Sequence, residues 1–222
     1  MLYQFHLKKT EWHRYAVDLN RIPADVDCDS VQGNKNPSGT HKDGYHWVQT
    51  KQGQHLMPAP MSAETHEKLT QMIFEPFHQG VRKHYEFFKS KGLKNIFHLD
   101  AHSMPSLGTK NHKDPGQTRA DIVISDCLGI SCDKTFRDLV IAAYVTAGFK
   151  VGYNWPYVGG RVTETYGKPL VHQHAIQVEL NRNLYMNEVT KKIKPEAEAV
   201  QKMVHQALTY IKSELPNLHI ED

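Results

Sequence analysis

Residues 95–104 read Asn95-Ile96-Phe97-His98-Leu99-Asp100-Ala101-His102-Ser103-Met104, and residues 172–182 read His172-Gln173-His174-Ala175-Ile176-Gln177-Val178-Glu179-Leu180-Asn181-Arg182. Each is a short apolar run that closes in polar residues. Alternate residues of a strand face the same side, so His98, Asp100 and His102 share one face while the strand lasts. Three further runs have strand character, Arg14–Leu19, Ala120–Ser125 and Phe149–Tyr153, beside Asn95–Asp100 and Ala175–Leu180 themselves. Helical stretches lie between them. Ser62 to about Ser90 has Ser62 as a predicted N-cap, Gly92 past its end, and Pro76 inside, which should kink or split it. Ser131–Ala147 stops at Gly148. From Thr190 to Leu215 the apolar residues Ile193, Ala197, Val200, Val204, Ala207 and Ile211 fall on one helical face. Strands alternating with helices predict an α/β fold, a single domain with a mixed, mostly parallel sheet flanked by helices. Such sheets place their ligands beyond the carboxyl ends of the strands.

The composition agrees. The chain has 222 residues, 39% hydrophobic and 23% charged, with a formal net charge of +3. That length suits one large domain with its own core. The charge is too weak for a nucleic-acid partner, and no polybasic block is present. Mean hydropathy is −0.58 and no apolar run approaches the length of a membrane span. Cys28, Cys127 and Cys132 make an odd count without zinc-ribbon spacing, which fits reduced thiols and a cytoplasmic location. The N-terminus lacks the apolar core of a signal peptide. Fifteen histidines raise the expectation of a metal site without locating it. Residues 29–60, rich in Gly, Pro, Asn, His and Lys, read as a long loop excursion with a small hairpin around Tyr45–Leu56.

The two polar strand ends carry the chemistry. Asp100 and His102 could hold a metal, or Asp100 could fix a histidine tautomer. Glu179, beside apolar Ile176, Val178 and Leu180, suits a general base, or could pair with Arg182. Arg14, Arg21, Arg119, Arg161 and Arg182 fall at strand ends or beside them, where a guanidinium fork can bind a carboxylate. Pro156-Tyr157-Val158-Gly159-Gly160 is a loop whose backbone can approach a ligand.

Six motifs in order extend this reading: Val17-Asp-Leu-Asn-Arg21, Asp100-Ala-His-Ser-Met104, Thr118-Arg-Ala-Asp-Ile122, Pro156-Tyr-Val-Gly-Gly160, Tyr166-Gly-Lys-Pro169 and His174 through Met186. Together they resemble the N-formylglutamate amidohydrolase family over roughly residues 12 to 215. The resemblance implies the phosphorylase/hydrolase-like fold of the zinc carboxypeptidases and aspartoacylases. It implies metal-dependent hydrolysis of N-formyl-L-glutamate to formate and glutamate, in histidine catabolism. By the same resemblance, His102 would ligate Zn2+ (or another divalent metal), with Asp100 as a ligand or its support. Glu179 would be the general base. Arg119, with Arg21 and Arg182, would bind substrate carboxylates, and Tyr157, Gly159 and Gly160 would line the substrate site. The partner is then a small acidic molecule, with neither nucleic acid nor membrane involved. One departure stands out: the family's Pro-His-(Ser/Gly)-Gly loop, which supplies another metal ligand, has no counterpart before Val17. The domain therefore reads as shortened at its N-terminus. The alternatives are a hydrolase of another amide, or a non-catalytic relative that binds an acidic small molecule.

Overall fold

The computed structural model describes residues 6–220. They form two compact units, residues 6–94 and 95–220, considered in turn.

The second unit contains the sheet. Its strands are β1 (Ile96–Met104), β2 (Ile122–Ser125), β3 (Val151–Tyr153) and β4 (Gln173–Asn181), in the order β1-β4-β2-β3. β1 and β4 are parallel, as are β2 and β3, while β2 runs antiparallel to β4. The sheet is thus mixed, with helices against it. These are α3 (Lys134–Thr146), α4 (Arg161–Tyr166) and α5 (Ala197–Glu214), numbered after the two helices of the first unit.

One face of the sheet is apolar. Ile122, Ile124, Ile176 and Val178 pack with Phe136, Leu139, Val140 and Ala143 of α3 and with Val200, Ala207 and Ile211 of α5. Burying each of the side chains larger than alanine contributes about 1.5–3 kcal/mol, and this layer anchors the sheet. β4 is buried along most of its length, so its other face must also be covered. That face carries Gln177 and Glu179.

The predicted α3 begins three residues late because Asp133 is the N-cap, its carboxylate accepting the Thr135 N–H at 2.7 Å. The last predicted helix starts at Ala197, not near Thr190. Pro195 disfavours a helical residue before it, Lys191 adopts φ +61, and the Asn187 side chain caps a turn by accepting from Val189 and Thr190. Ile193, placed on the helical stripe by spacing, is therefore outside the helix and exposed.

The first unit packs Val17, Val26, Val31, Tyr45 and Ile73 around a small core. Its helices are α1 (Ala63–Leu69) and α2 (Glu75–Ser90), joined through a π-helical turn at Thr70–Phe74. Ser62 caps α1, as predicted, by accepting the Thr65 N–H. Pro76 does split the segment, and the wider turn precedes it. Arg14–Leu19 is not a strand but a series of turns. The cause is Asp18, whose carboxylate accepts from Asn20 N at 3.0 Å, Arg14 Nη2 at 2.7 Å and Trp47 Nε1 at 3.0 Å, bending the chain back on itself. In residues 29–60 the expected hairpin is reduced to isolated antiparallel bridges, Asp43 with Trp47 and Gln49 with His55.

Candidate active site

The parallel register of β1 and β4 decides the site. It pairs His98 with Ala175, Asp100 with Gln177 and His102 with Glu179. Across β4, Val123 is the partner of Glu179 and Ser125 that of Gln177. Register partners face the same side, so Asp100, His102, Gln177, Glu179 and Ser125 line one face. His102 and Glu179 stand side by side near the carboxyl ends of neighbouring strands, as their positions in sequence predict.

The Asp100 carboxylate meets His102 Nε2 at 3.0 Å. Thr163 Oγ1 of α4 donates to its other oxygen at 3.4 Å. Burial pushes the Asp100 carboxyl up, but His102, His98 and Thr163 outweigh it and hold it below the ordinary carboxylate value. Burial lowers the His98 pKa and favours the neutral ring. Glu179 is buried and accepts from Gln177 Nε2 at 2.9 Å.

Arg119 is not a free fork. Its Nε and Nη2 donate to the two oxygens of Asp114 at 2.7 and 2.8 Å, and both side chains are almost wholly buried. Its Nη1 donates to Pro105 O at 3.1 Å and to the Tyr157 hydroxyl at 2.9 Å. The bidentate edge expected to meet a substrate carboxylate is occupied by Asp114, five residues earlier in the chain. Burial works against the Arg119 charge, yet Asp114 and Tyr157 leave its pKa raised. Asp114 in turn is held below the usual carboxylate range by that hydrogen-bonded guanidinium.

Arg182 follows β4 directly. Its nearest acid is Glu188, 3.8 Å from Nε, and the buried Nε has no hydrogen-bond partner among the described residues. An unsatisfied buried cationic donor is what a carboxylate ligand would complete. Arg21 also has a buried Nε without such a partner, within the first unit. Tyr157 is tied to the polar face through its carbonyl, which accepts from Ser125 Oγ at 2.8 Å. Gly159 has φ +120, and a Cβ there would come within 2.7 Å of Cys127 Sγ, so its close approach is to the protein itself. Gly160 is the N-cap residue of α4.

Sequence reasoning passed over Asp114, Ser125, Thr163 and Gln177. The strand period could have found Gln177, two residues before Glu179, and Ser125, which is itself the last residue of β2. Thr163 comes from α4 and Asp114 from the connection between β1 and β2, and neither carries such a signal.

Residues 3–186 match the N-formylglutamate amidohydrolase family. The chain belongs to that family. It is 28% identical over 181 residues to the N-formylglutamate deformylase of Pseudomonas aeruginosa and 27% identical over 182 residues to that of Pseudomonas putida. Both alignments cover 80% of this chain, which spans only 63% of the length of either relative. The fold is similar to that of an N-formylglutamate amidohydrolase from Ralstonia eutropha JMP134, with TM-score 0.80 and 22% identity, covering 90% of this chain and 74% of that one. A gene product from Agrobacterium tumefaciens is more distant, at TM-score 0.62 and 17% identity, covering 91% of this chain and 69% of its own.

A catalytic zinc takes three protein ligands. Among the described residues no group of three His, Cys, Asp or Glu side chains is gathered closely enough to hold a metal. The Nε2 of His102, the expected ligand residue, is engaged with Asp100. As arranged, these donors do not make a complete zinc site.

Proposed function

We propose that this chain hydrolyses the amide of N-formyl-L-glutamate, or of a similar N-acyl acidic amino acid, to formate and glutamate. The observation that carries the reading is the pairing of Glu179 with His102 at the carboxyl ends of β4 and β1. Family membership supports it, and two relatives are named N-formylglutamate deformylases.

In this reading Glu179 takes a proton from the attacking water and returns it to the leaving nitrogen. Gln177 holds one carboxylate oxygen, which fixes the direction of the other. Asp100 orients the His102 ring beside it. Arg182, whose Nε has Glu188 at 3.8 Å but no hydrogen-bond partner among the described residues, binds a carboxylate of the substrate. The free thiols Cys28, Cys127 and Cys132 support a cytoplasmic setting. Among the described residues no helix is long and apolar enough to cross a membrane.

The test is formate release from N-formyl-L-glutamate against a panel of N-acetyl and N-formyl amino acids. Glu179→Gln keeps the shape and cannot take the proton, so kcat should fall by about two to four decades. Near-wild-type turnover in that variant would defeat the assignment. Turnover of neutral N-acyl amino acids alone would defeat the acidic-substrate reading.

A further inference from the structure

We propose that Asp114 and Arg119 are positioning residues that aim the Tyr157 phenol as a hydrogen-bond donor to the carbonyl oxygen of the amide. The inference rests on the amide-hydrolysis reading and assigns a role to groups that reading leaves unused.

The geometry is a relay fixed at each joint. Asp114 grips the Arg119 guanidinium through two hydrogen bonds of 2.7 and 2.8 Å. Pro105 O accepts from Nη1 at 3.1 Å, which stops the guanidinium from rotating. The same Nη1 donates to the Tyr157 hydroxyl at 2.9 Å, and the guanidinium carbon sits 5.0 Å from the phenol ring centroid. Ser125 holds the Tyr157 carbonyl from the sheet. Both ends of the residue are thereby tied down. A phenol oxygen that accepts from a cation must direct its own proton elsewhere. Among the described residues nothing accepts that proton.

The direction matters because Ser125 lies on the face that carries Gln177 and Glu179. The phenol and the Glu179 carboxylate also lie within each other's field. Burial raises the phenol pKa, Arg119 lowers it and Glu179 raises it, and the balance is upward. Tyr157 therefore keeps its proton at neutral pH. A buried ion pair is a poor source of net stability, because desolvation offsets most of the attraction. Orienting a donor is a use that matches its placement.

The step balances. Water oxygen bonds to the formyl carbon while one water proton passes to Glu179. The carbonyl π pair moves onto the oxygen, where the Tyr157 O–H stabilises the charge without giving up its proton. When the carbonyl reforms, the C–N bond breaks and its electron pair goes to nitrogen. Nitrogen takes the proton back from Glu179, and the acid proton of the formic acid passes to the released amine.

The test combines kinetics with a spectroscopic readout. With N-formyl-L-glutamate, Tyr157→Phe should lower kcat by about a hundredfold while KM stays within about threefold. Asp114→Asn should lower kcat by about tenfold alone and add little once Tyr157 is Phe, because both act through one hydroxyl. Arg119→Lys, which keeps the charge and loses the fork, should behave like Asp114→Asn and replaces it if that variant does not fold. In protein labelled with 13C at tyrosine Cζ, the resonance absent from Tyr157→Phe should shift in Asp114→Asn or Arg119→Lys. A kcat near wild type in Tyr157→Phe would overturn the proposal. So would losses that multiply in the double variant, as for a merely structural pair, or a Tyr157 resonance that does not move. If the wild-type chain cleaves no N-acyl amino acid, the amide-hydrolysis reading fails and takes the catalytic role of Tyr157 with it. The resonance then still decides whether Asp114 and Arg119 position the ring.

Discussion

Acidification should weaken the chain through one buried histidine pair in the first unit. His46 is almost fully buried, its Nδ1 donating to Ala16 O at 2.5 Å and its Nε2 facing His66 Nδ1 at 2.9 Å. Because Nδ1 donates to a carbonyl, neutral His46 has a bare Nε2 that accepts from His66. Protonating His46 would set two N–H groups against each other. The Tyr45 ring packs on both imidazoles, and Glu67 is the acid that acts on His66. Burial lowers the His46 pKa from 6.5 to about 4; the Ala16 carbonyl opposes this and His66 adds to it. The folded state therefore binds the proton less readily than the unfolded chain. Stability is complete above the unfolded value and is lost as pH falls toward the folded one. From pH 7 to pH 5 the linkage gives a loss of about 2 kcal/mol, rising to roughly 3 kcal/mol below pH 4. With a urea slope of about 2 kcal/mol per molar, the midpoint should drop by roughly 1 M between pH 7 and pH 5 from this pair. Asp43, Asp100 and Asp114 contribute with the same sign, but only below the ordinary carboxylate range. His66, His84, His98 and His174 also have lowered pKa values, so the measurement is a difference. Urea melts of wild type and His46→Gln, followed by tryptophan fluorescence at both pH values, isolate the pair. An equal loss of midpoint in the two proteins would refute the reasoning.

Phe136→Ala empties a fully buried position between α3 and the sheet and should cost about 3–5 kcal/mol, read as a lower urea midpoint. Gly108→Ala would place a Cβ 1.7 Å from Asp114 O, so the segment carrying the Arg119 partner must shift. That variant should lose thermal stability and, if the relay is right, turnover as well. Ser62→Ala removes the α1 cap and should cost about 1 kcal/mol with no change in activity. Elemental analysis after dialysis should find well under one zinc per chain, because the described donors do not assemble three ligands. A single tightly held zinc would show that they do.

The strand pair β1 and β4 was legible because each run couples apolar content to a polar terminus. The same period that put His98, Asp100 and His102 on one side also put Gln177 beside Glu179. Arg14–Leu19 looked equally strand-like, yet Asp18 supplies the side-chain acceptors that fold a turn. A period-two pattern does not register such local competition. The surroundings of Arg119 were hidden for a related reason. Its charge and its place before β2 were visible, but its commitment to Asp114 depends on a loop folding back on itself. The antiparallel direction of β2 was likewise invisible, since it follows from pairing between distant segments.

That direction shapes how the molecule can vary. Met104 ends β1 opposite Asn181, and Ile122 begins β2 opposite Leu180, so residues 105–121 leave the sheet and rejoin it at one rim, with only β4 between the two anchors. The bridges Leu107–Thr118 and Gly108–Pro115 close this connection into a narrow ribbon. Residues could be added to or removed from its tip without sliding any strand against its neighbour. The rim above His102 and Glu179 can therefore change in length while the sheet beneath keeps its register.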